Sequence, residues 1–267
     1  MIECKPITVA GSTSILGFAE EGGGTWPAWY RFLTLDGKNA YRIGNICGTC
    51  HFFFERLEGA DKTLDASALT DALGAGLETL DTAAGLSRIL PDGEYTAMLL
   101  RVAPRHVLPG DASDYFAHEQ TDAWGMTDYT WGLPHYPRTP YYRSRTLHMS
   151  PHTGLYEFII PMLPPARLDA DRLRQYRRRN REMPLPTAVA VSVLDVKEFH
   201  DYTDDSEEGI CVQHWCLAHY LLDGHHKTHA AALEGLPLSL LSFLALGKGV
   251  SLEEERLKLP ELLDMQS

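Results

Sequence analysis

The sequence is first informative in what it lacks. It has no run of roughly 18 to 20 apolar residues, the length that a membrane-spanning helix needs, and its first residues lack the basic start and apolar core of a signal peptide. Cysteine is scarce, with five residues in a chain of 267, and the odd number argues against a disulfide framework. These absences predict a cytoplasmic protein without a membrane segment.

The chain also lacks an excess of positive charge. Its 24 Lys and Arg residues are outnumbered by 36 Asp and Glu residues, which gives a formal net charge of -12. Because non-specific binding to nucleic acid depends on basic side chains that neutralise phosphates, nucleic acid is not an expected partner. The hydrophobic content of 44% instead predicts a packed globular protein.

The composition changes near residue 150 and divides the chain into regions 1–150 and 151–267. The first region contains patterns typical of both strands and helices, with strands predicted around residues 40–57 and 93–103 and helix between residues 63 and 86. Residues 111–153 are rich in aromatics and prolines without clear periodicity, which predicts a long connection that hides short strands, wraps a neighbour or forms part of a site. The fold class expected for the whole chain is α+β.

The second region has clearer patterns. The predicted elements are a strand at 155–162, a helix at 168–182, strands at 187–196 and 214–222, a helix at 228–235, a buried strand or short helix at 238–246, and a last helix interrupted at Pro260. The predicted helix at 168–182 contains six arginines between Arg172 and Arg181, which indicate a solvated face from which one or two side chains can reach an acidic ligand.

A polar turn, Asp223-Gly224-His225-His226-Lys227, separates the predicted strand at 214–222 from the helix at 228–235. Glycine permits a sharp turn and the close approach of a ligand. The unpaired N–H groups at the start of a helix attract anions, and the two histidines and the lysine add donors. The turn therefore predicts a phosphate site, which includes Thr228 at the start of the helix. The alternative to a phosphate site is an ordinary solvent-exposed turn that binds no ligand.

The order of elements in residues 155–247, together with the Asp-Gly-His-His-Lys turn, resembles the ParB/sulfiredoxin superfamily. This resemblance implies a mixed sheet with short helices that binds ATP or another nucleotide at the turn, through Gly224, His225, His226, Lys227 and Thr228. The chain departs from relatives at two positions of the motif. His225 stands where sulfiredoxin has its catalytic cysteine, and Lys227 stands where arginine is usual, so sulfinic acid repair is not expected.

The resemblance implies Mg²⁺-dependent phosphoryl transfer to a small molecule, or nucleotide hydrolysis. Asp223 is the predicted carboxylate for Mg²⁺, and His226 and Glu157 are the candidate bases. The free-serine kinases of the superfamily carry a glutamate close after the first strand, which this chain lacks. Two alternatives stay open: a non-catalytic adaptor or regulator that keeps the fold, and a metal-dependent nuclease. The nuclease would use the histidine cluster His219, His225, His226 and His229.

A second metal motif lies in the first region. Cys47 and Cys50 have the two-residue spacing with which a pair of cysteines binds one zinc ion. A complete site needs further ligands, for which His51, or the more distant Cys211 and Cys216 with His214 between them, are candidates. Structural zinc and inert buried thiols are both expected interpretations of this pair, ahead of redox chemistry, since strand-like residues follow the motif.

Overall fold

The computed structural model describes residues 2–23, 26–46, 52, 54–72, 77, 85–119, 139–179, 186–201 and 210–265. These residues form two β-sheets and several short helices, so the predicted α+β class is confirmed. Among the residues described, no helix is long and apolar enough to cross a membrane. Cys47 and Cys50 lie outside the described ranges.

The elements alternate irregularly along the chain. The strands are β1 (Glu3–Val9), β2 (Leu16–Gly23), β3 (Trp26–Leu35), β4 (Lys38–Asn45), β5 (Glu55–Arg56), β6 (Gly93–Val102), β7 (Arg105–Val107), β8 (Tyr141–Ser150), β9 (Thr153–Pro161), β10 (Thr187–Asp201), β11 (Ile210–Asp223) and β12 (Leu238–Ala245). The helices are α1 (Ser67–Ala72), α2 (Leu86–Ile89), α3 (Tyr115–Glu119), α4 (Ala170–Arg179), α5 (His225–Glu234) and α6 (Glu253–Asp264), with a 3-10 turn at Pro165–Arg167.

The large sheet has eight strands in the order β1-β6-β12-β10-β11-β9-β8-β7, and β2 to β5 form the small sheet. Two neighbouring pairs, β10 with β12 and β9 with β11, are parallel, and the other pairs of the large sheet are antiparallel. Parallel neighbours require a crossover connection. Helix α4 lies in the connection that leaves β9, and α5 lies in the connection that leaves β11.

The large sheet draws four strands from each side of residue 150. The expected boundary between the two regions falls in the tight turn that joins β8 to β9, which pair as a hairpin. The two regions therefore share one sheet, although the small sheet is formed by the first region alone.

The predicted order strand, helix, strand, strand, helix, strand is confirmed for residues 153–245. Residues 238–245 form a strand, and Pro260 lies inside α6 without ending it. In the stretch predicted as a long connection, residues 141–150 form β8. A register shift between Arg143 and Arg145 breaks the alternation of β8, which explains why no period of two is visible in its sequence.

The two faces of the large sheet carry separate cores. One face packs with residues of the small sheet in a cluster rich in aromatic rings, and the other is covered by α5 and by the Leu259 and Leu263 side chains of α6. A buried ion pair joins the two sheets, since Arg31 on β3 contacts both carboxylate oxygens of Asp195 on β10 at 3.0 and 2.6 Å. Strands β9, β10 and β11 are therefore buried on both faces over much of their length, which fits their continuous apolar sequences.

Candidate functional site

The polar turn predicted as a phosphate site joins β11 directly to α5. Gly224 is the N-cap residue of α5, with a left-handed φ of 90°. A Cβ atom at this position would lie 2.7 Å from Cβ and 2.8 Å from Cα of Ala188 on β10. Oδ1 of Asp223 accepts the backbone N–H of Gly224 at 2.6 Å. Glycine is thus required here by backbone conformation and by packing against the neighbouring strand.

His225 points into the protein and has only 5% of its surface exposed. Its Nε2 accepts the backbone N–H of Met162, just beyond the end of β9, at 3.0 Å. Burial, with a smaller contribution from the charge of neighbouring His226, lowers the pKa of His225 to about 3. The imidazole is therefore neutral near pH 7. Because Nε2 is the acceptor, the proton of the neutral ring lies on Nδ1.

His226 makes the corresponding contact on the next connection. Its Nε2 accepts the backbone N–H of Asp169 at 3.0 Å, and Asp169 in turn accepts the backbone N–H of Arg172 and caps the start of α4. Partial burial and then the charge of Arg172 lower the pKa of His226. The two consecutive histidines hold both ends of the connection between β9 and α4 against the start of α5.

The remaining side chains of the turn lie against the protein. Nζ of Lys227 donates to the carbonyl oxygen of Thr187 at 2.8 Å. Thr228 is fully buried, its backbone N–H donates to the carbonyl of Gly224, and its hydroxyl has no hydrogen-bond partner among the described residues. The N-cap residue, Gly224, has no side chain that could accept an N–H group from the first turn of α5. The anion-attracting groups at this helix start are accordingly its backbone N–H groups, beside the half-buried His226.

Glu157 lies on β9, in the middle of the large sheet. It is five residues before Met162, the residue that contacts His225, and this spacing corresponds to roughly 16 Å along a strand. Its Oε1 is 3.2 Å from Nε2 of His219, whose Nδ1 is 2.7 Å from the Ser192 hydroxyl. All three side chains are fully buried, and Ser242 joins the same network. The structure therefore separates Glu157 from the polar turn.

The carboxyl group of Glu157 is held in its charged form by its neighbours. Burial raises its pKa, but the hydrogen bond and charge of His219, with the charge of Arg145, outweigh burial and give a lowered pKa. Arg145 also donates to the carbonyl oxygen of Leu263 in α6 at 2.8 Å. These contacts make Glu157 part of a buried polar network that links four strands beneath the helices.

The four histidines predicted as a cluster point in different directions. His219 belongs to the buried network, His225 and His226 contact separate backbone N–H groups, and Nδ1 of His229 is 2.9 Å from the Tyr142 hydroxyl. In the described part of the chain, no group of three or more His, Cys, Asp or Glu residues is arranged to hold a metal ion.

Three polar residues lie toward the opposite end of β9 and β11, and of these the sequence singled out only His214, as a candidate zinc ligand. They are Asp114, at the start of α3, Arg143 on β8, and His214 on β11, and they line one cavity. The signal of Asp114 and Arg143 in the sequence is weak, because they are charged residues inside an aromatic, proline-rich stretch. Comparisons with protein-family models, with curated proteins and with solved structures gave no match to this chain.

Proposed function

We propose that the chain binds a nucleotide, or another ligand bearing a phosphate group, at the first turn of α5, in the manner of the ParB/sulfiredoxin superfamily. The observation that carries this proposal is the left-handed Gly224 between β11 and α5, which leaves the helix start without a side-chain cap from the N-cap residue. Uncapped N–H groups and the positive end of the helix dipole favour a phosphate. The order of elements from β9 to β12 supports the same assignment.

The surrounding side chains fit an anionic ligand. The Nδ1–H group of His226 is a donor once Nε2 accepts from Asp169, and Arg172 lies near enough to lower the pKa of His226. Lys227 adds a third basic side chain at the same turn. We propose that these groups contact phosphate oxygens directly. Asp223 is the carboxylate that would hold Mg²⁺, with the oxygen that does not accept the Gly224 N–H group.

The reaction we propose is phosphoryl transfer to a small molecule, or nucleotide hydrolysis. Such a reaction depends mainly on positioning and on neutralising the charge of the phosphates, which Mg²⁺ would supply when bound. In this proposal His226 acts as a hydrogen-bond donor to phosphate, since its Nε2 already accepts a backbone N–H. Glu157 has no part in it, because it is fully buried and distant from the turn.

A second candidate is binding without turnover, as in an adaptor or regulator. The positions of the proposed bases favour it: Glu157 is inaccessible, and His225 and His226 both use Nε2 to hold the chain between β9 and α4. A phosphate-bearing ligand would then change how this connection packs on α5. Turnover of nucleotide separates the two candidates.

The test is calorimetric titration with ATP, ADP and CTP in the presence of Mg²⁺. Gly224→Val is a poor probe, because its side chain would collide with β10 whether or not a ligand binds. We would use Arg172→Ala and Lys227→Met, with Arg178→Ala as the matched control from the exposed face of α4. We expect saturable binding that weakens about tenfold in the first two variants, from the loss of a charge-assisted contact.

The same samples decide the reaction. Release of inorganic phosphate from a bound nucleotide supports the enzyme, and binding without release supports the adaptor. The absence of saturable nucleotide binding by the wild-type chain would overturn both.

A further inference from the structure

A cavity of about 530 Å³ lies where β9 and β11 begin, at the end of the sheet opposite α5. We call it the Arg143 cleft. Its polar lining residues include Arg105, Asp114, Arg143, His148, His152 and His214. The cleft extends from His214, nine residues before Asp223 on β11, to Arg143, which pairs with Phe158 and so lies level with Ala218, five residues before Asp223. Its distance from the start of α5 is therefore roughly 16 to 30 Å along the strands. A ligand of the cleft is therefore independent of the nucleotide proposed above.

Arg143 is fixed in this cleft by two kinds of contact. Its Nε and Nη2 donate to the two carboxylate oxygens of Asp114, both at 2.9 Å. Its guanidinium carbon lies 4.1 Å from the centre of the Phe158 ring, a cation-π arrangement. Only 7% of the residue's surface is exposed. The side chain is thus preorganised before any ligand binds.

One donor of Arg143 is left over. Its Nη1 is buried and has no hydrogen-bond partner among the residues that the structure describes. A buried, charged donor without a partner is costly, and native structures seldom contain one without a functional reason. Since Nε and Nη2 are committed to Asp114, Nη1 is the donor of Arg143 that remains for a bound acceptor. Because Nη1 is buried, an acceptor reaches it after a small movement of the side chains that cover it.

The described lining of the cleft offers a single carboxylate. Asp114 is the one carboxylate among the described residues that line it. Besides Arg143, its oxygens accept from Arg105 at 2.9 Å, from the Tyr141 hydroxyl at 2.6 Å and from two backbone N–H groups at the start of α3. The other polar lining side chains are Arg105, which only donates, and histidines and hydroxyl groups, which can both donate and accept. Arg105 also pairs with the more exposed Asp111.

Aromatic rings form one wall of the cleft. The Tyr115 and Tyr156 rings are stacked with centroids 5.9 Å apart, and the His214 ring meets Tyr156 edge-on at 5.2 Å. Gly154 makes room for this wall, because a Cβ atom there would lie 2.8 Å from the Tyr156 ring. Stacked rings provide a flat apolar surface suited to a planar group.

We propose that the Arg143 cleft binds a small organic anion, whose carboxylate or phosphate oxygen accepts from Nη1 of Arg143 while its planar part packs on the Tyr115 and Tyr156 rings. The ligand class follows from the unpaired donor, the presence of two arginines and one carboxylate among the described lining residues, and the aromatic wall. Exposed His148 and His152 stand at the cleft where they can add hydrogen bonds to the same oxyanion.

The test is calorimetric titration of the full chain with benzoate and with phenyl phosphate, with benzyl alcohol as the uncharged analogue. Arg143→Lys keeps a positive charge beside Asp114 but removes Nη1. His152→Ala removes an exposed cleft residue, so it retains the fold even where Arg143→Lys does not. Arg88→Ala, an exposed arginine outside the cleft, and Arg172→Ala, at the α5 site, are the controls.

We expect saturable binding of at least one of the two anions and none of benzyl alcohol. Arg143→Lys should weaken binding about tenfold or more and His152→Ala by a smaller factor, while both controls bind like the wild type. Binding of benzoate alone identifies a carboxylate ligand, and binding of phenyl phosphate alone a phosphate ester. The proposal is overturned if neither anion binds, if both cleft variants bind normally, or if Arg172→Ala alone abolishes binding.

Discussion

The two ends of strands β9 and β11 use polar side chains in opposite ways. At the end where α5 begins, each polar side chain from Asp223 to Lys227 has a partner within the protein. In the Arg143 cleft, which extends to the other end, Arg143 is buried and held in place, yet its Nη1 has no partner in the described part of the chain. The conspicuous run of polar residues from Asp223 to Lys227 therefore fixes the fold around a helix start, while an inconspicuous arginine at a cavity carries an unsatisfied, charged donor.

The difference shows what a motif can and cannot indicate. Consecutive histidines at the start of a helix suggest ligand chemistry, but here both accept backbone N–H groups from the connection between β9 and α4. Any phosphate at this turn would bind to the backbone of α5, to the neighbouring cations and to the remaining Nδ1–H group of His226. In the Arg143 cleft, by contrast, the side chain itself is the donor that awaits an acceptor.

The largest effect should come from breaking the Arg143 cleft at Asp114. Asp114→Ala leaves Arg143 buried with neither of its two carboxylate bonds, and loss of one partner of a buried pair costs about 3 to 5 kcal/mol. Asp111→Ala removes a more exposed partner of Arg105 and should cost about 1 kcal/mol or less. Urea denaturation measures both. Equal losses would show that Asp114 does not hold Arg143 in place.

At the α5 end, Gly224→Ala should cost about 3 kcal/mol. The new Cβ atom meets Ala188 at 2.7 Å, and a φ of 90° is strained for any residue with a side chain. Gly235→Ala is the matched control, since Gly235 ends the same helix with a φ of 62° and a Cβ atom there would meet no described atom within 4 Å. Strain alone should cost that variant about 1 kcal/mol. Similar unfolding free energies for the two variants would remove the packing explanation of Gly224.

The buried neutral state of His225 predicts a pH dependence of stability. Its pKa is lowered from 6.5 to about 3 in the folded chain, so below pH 6.5 the unfolded state binds a proton that the folded state does not. The stability that neutral His225 provides is complete above pH 6.5 and is lost as the pH falls toward 3. At about 1.4 kcal/mol per pH unit, this group alone lowers stability by about 3 kcal/mol between pH 7 and pH 4.

His225→Gln isolates this contribution, because the glutamine amide oxygen can accept from Met162 but does not titrate. Denaturation of both chains at pH 7 and pH 4 measures the difference between them. We expect the variant to lose about 3 kcal/mol less than the wild type over this interval. If the variant and the wild type lose the same free energy of unfolding between pH 7 and pH 4, His225 becomes protonated in the folded chain.

Much of the fold could be predicted from the sequence where the pattern is local. The apolar runs of β9 to β12 and the charge placement in α4 identified their elements, because each strand is buried along most of its length. The register shift in β8 could not be anticipated, since buried Arg143 and Arg145 look like surface residues. The same holds for the site: the sequence located the turn at Gly224, but the partners of His225 and His226 depend on a connection about sixty residues away.

The smallest expected changes in the free energy of unfolding distinguish residues that stabilise the fold from residues available to a ligand. His226→Ala removes the acceptor for the Asp169 N–H group at a partly exposed position, and we expect a loss of about 1 kcal/mol in urea denaturation. His148→Ala, in the Arg143 cleft, should change stability by less than about 0.5 kcal/mol, because the residue is exposed. If His148→Ala weakens binding of the small anion while stability is unchanged, the cleft histidine serves the ligand. A loss of stability in His226→Ala would show that the turn histidine serves the fold in addition to its proposed contact with phosphate. Comparable losses of stability in both variants would make the cleft as architectural as the turn.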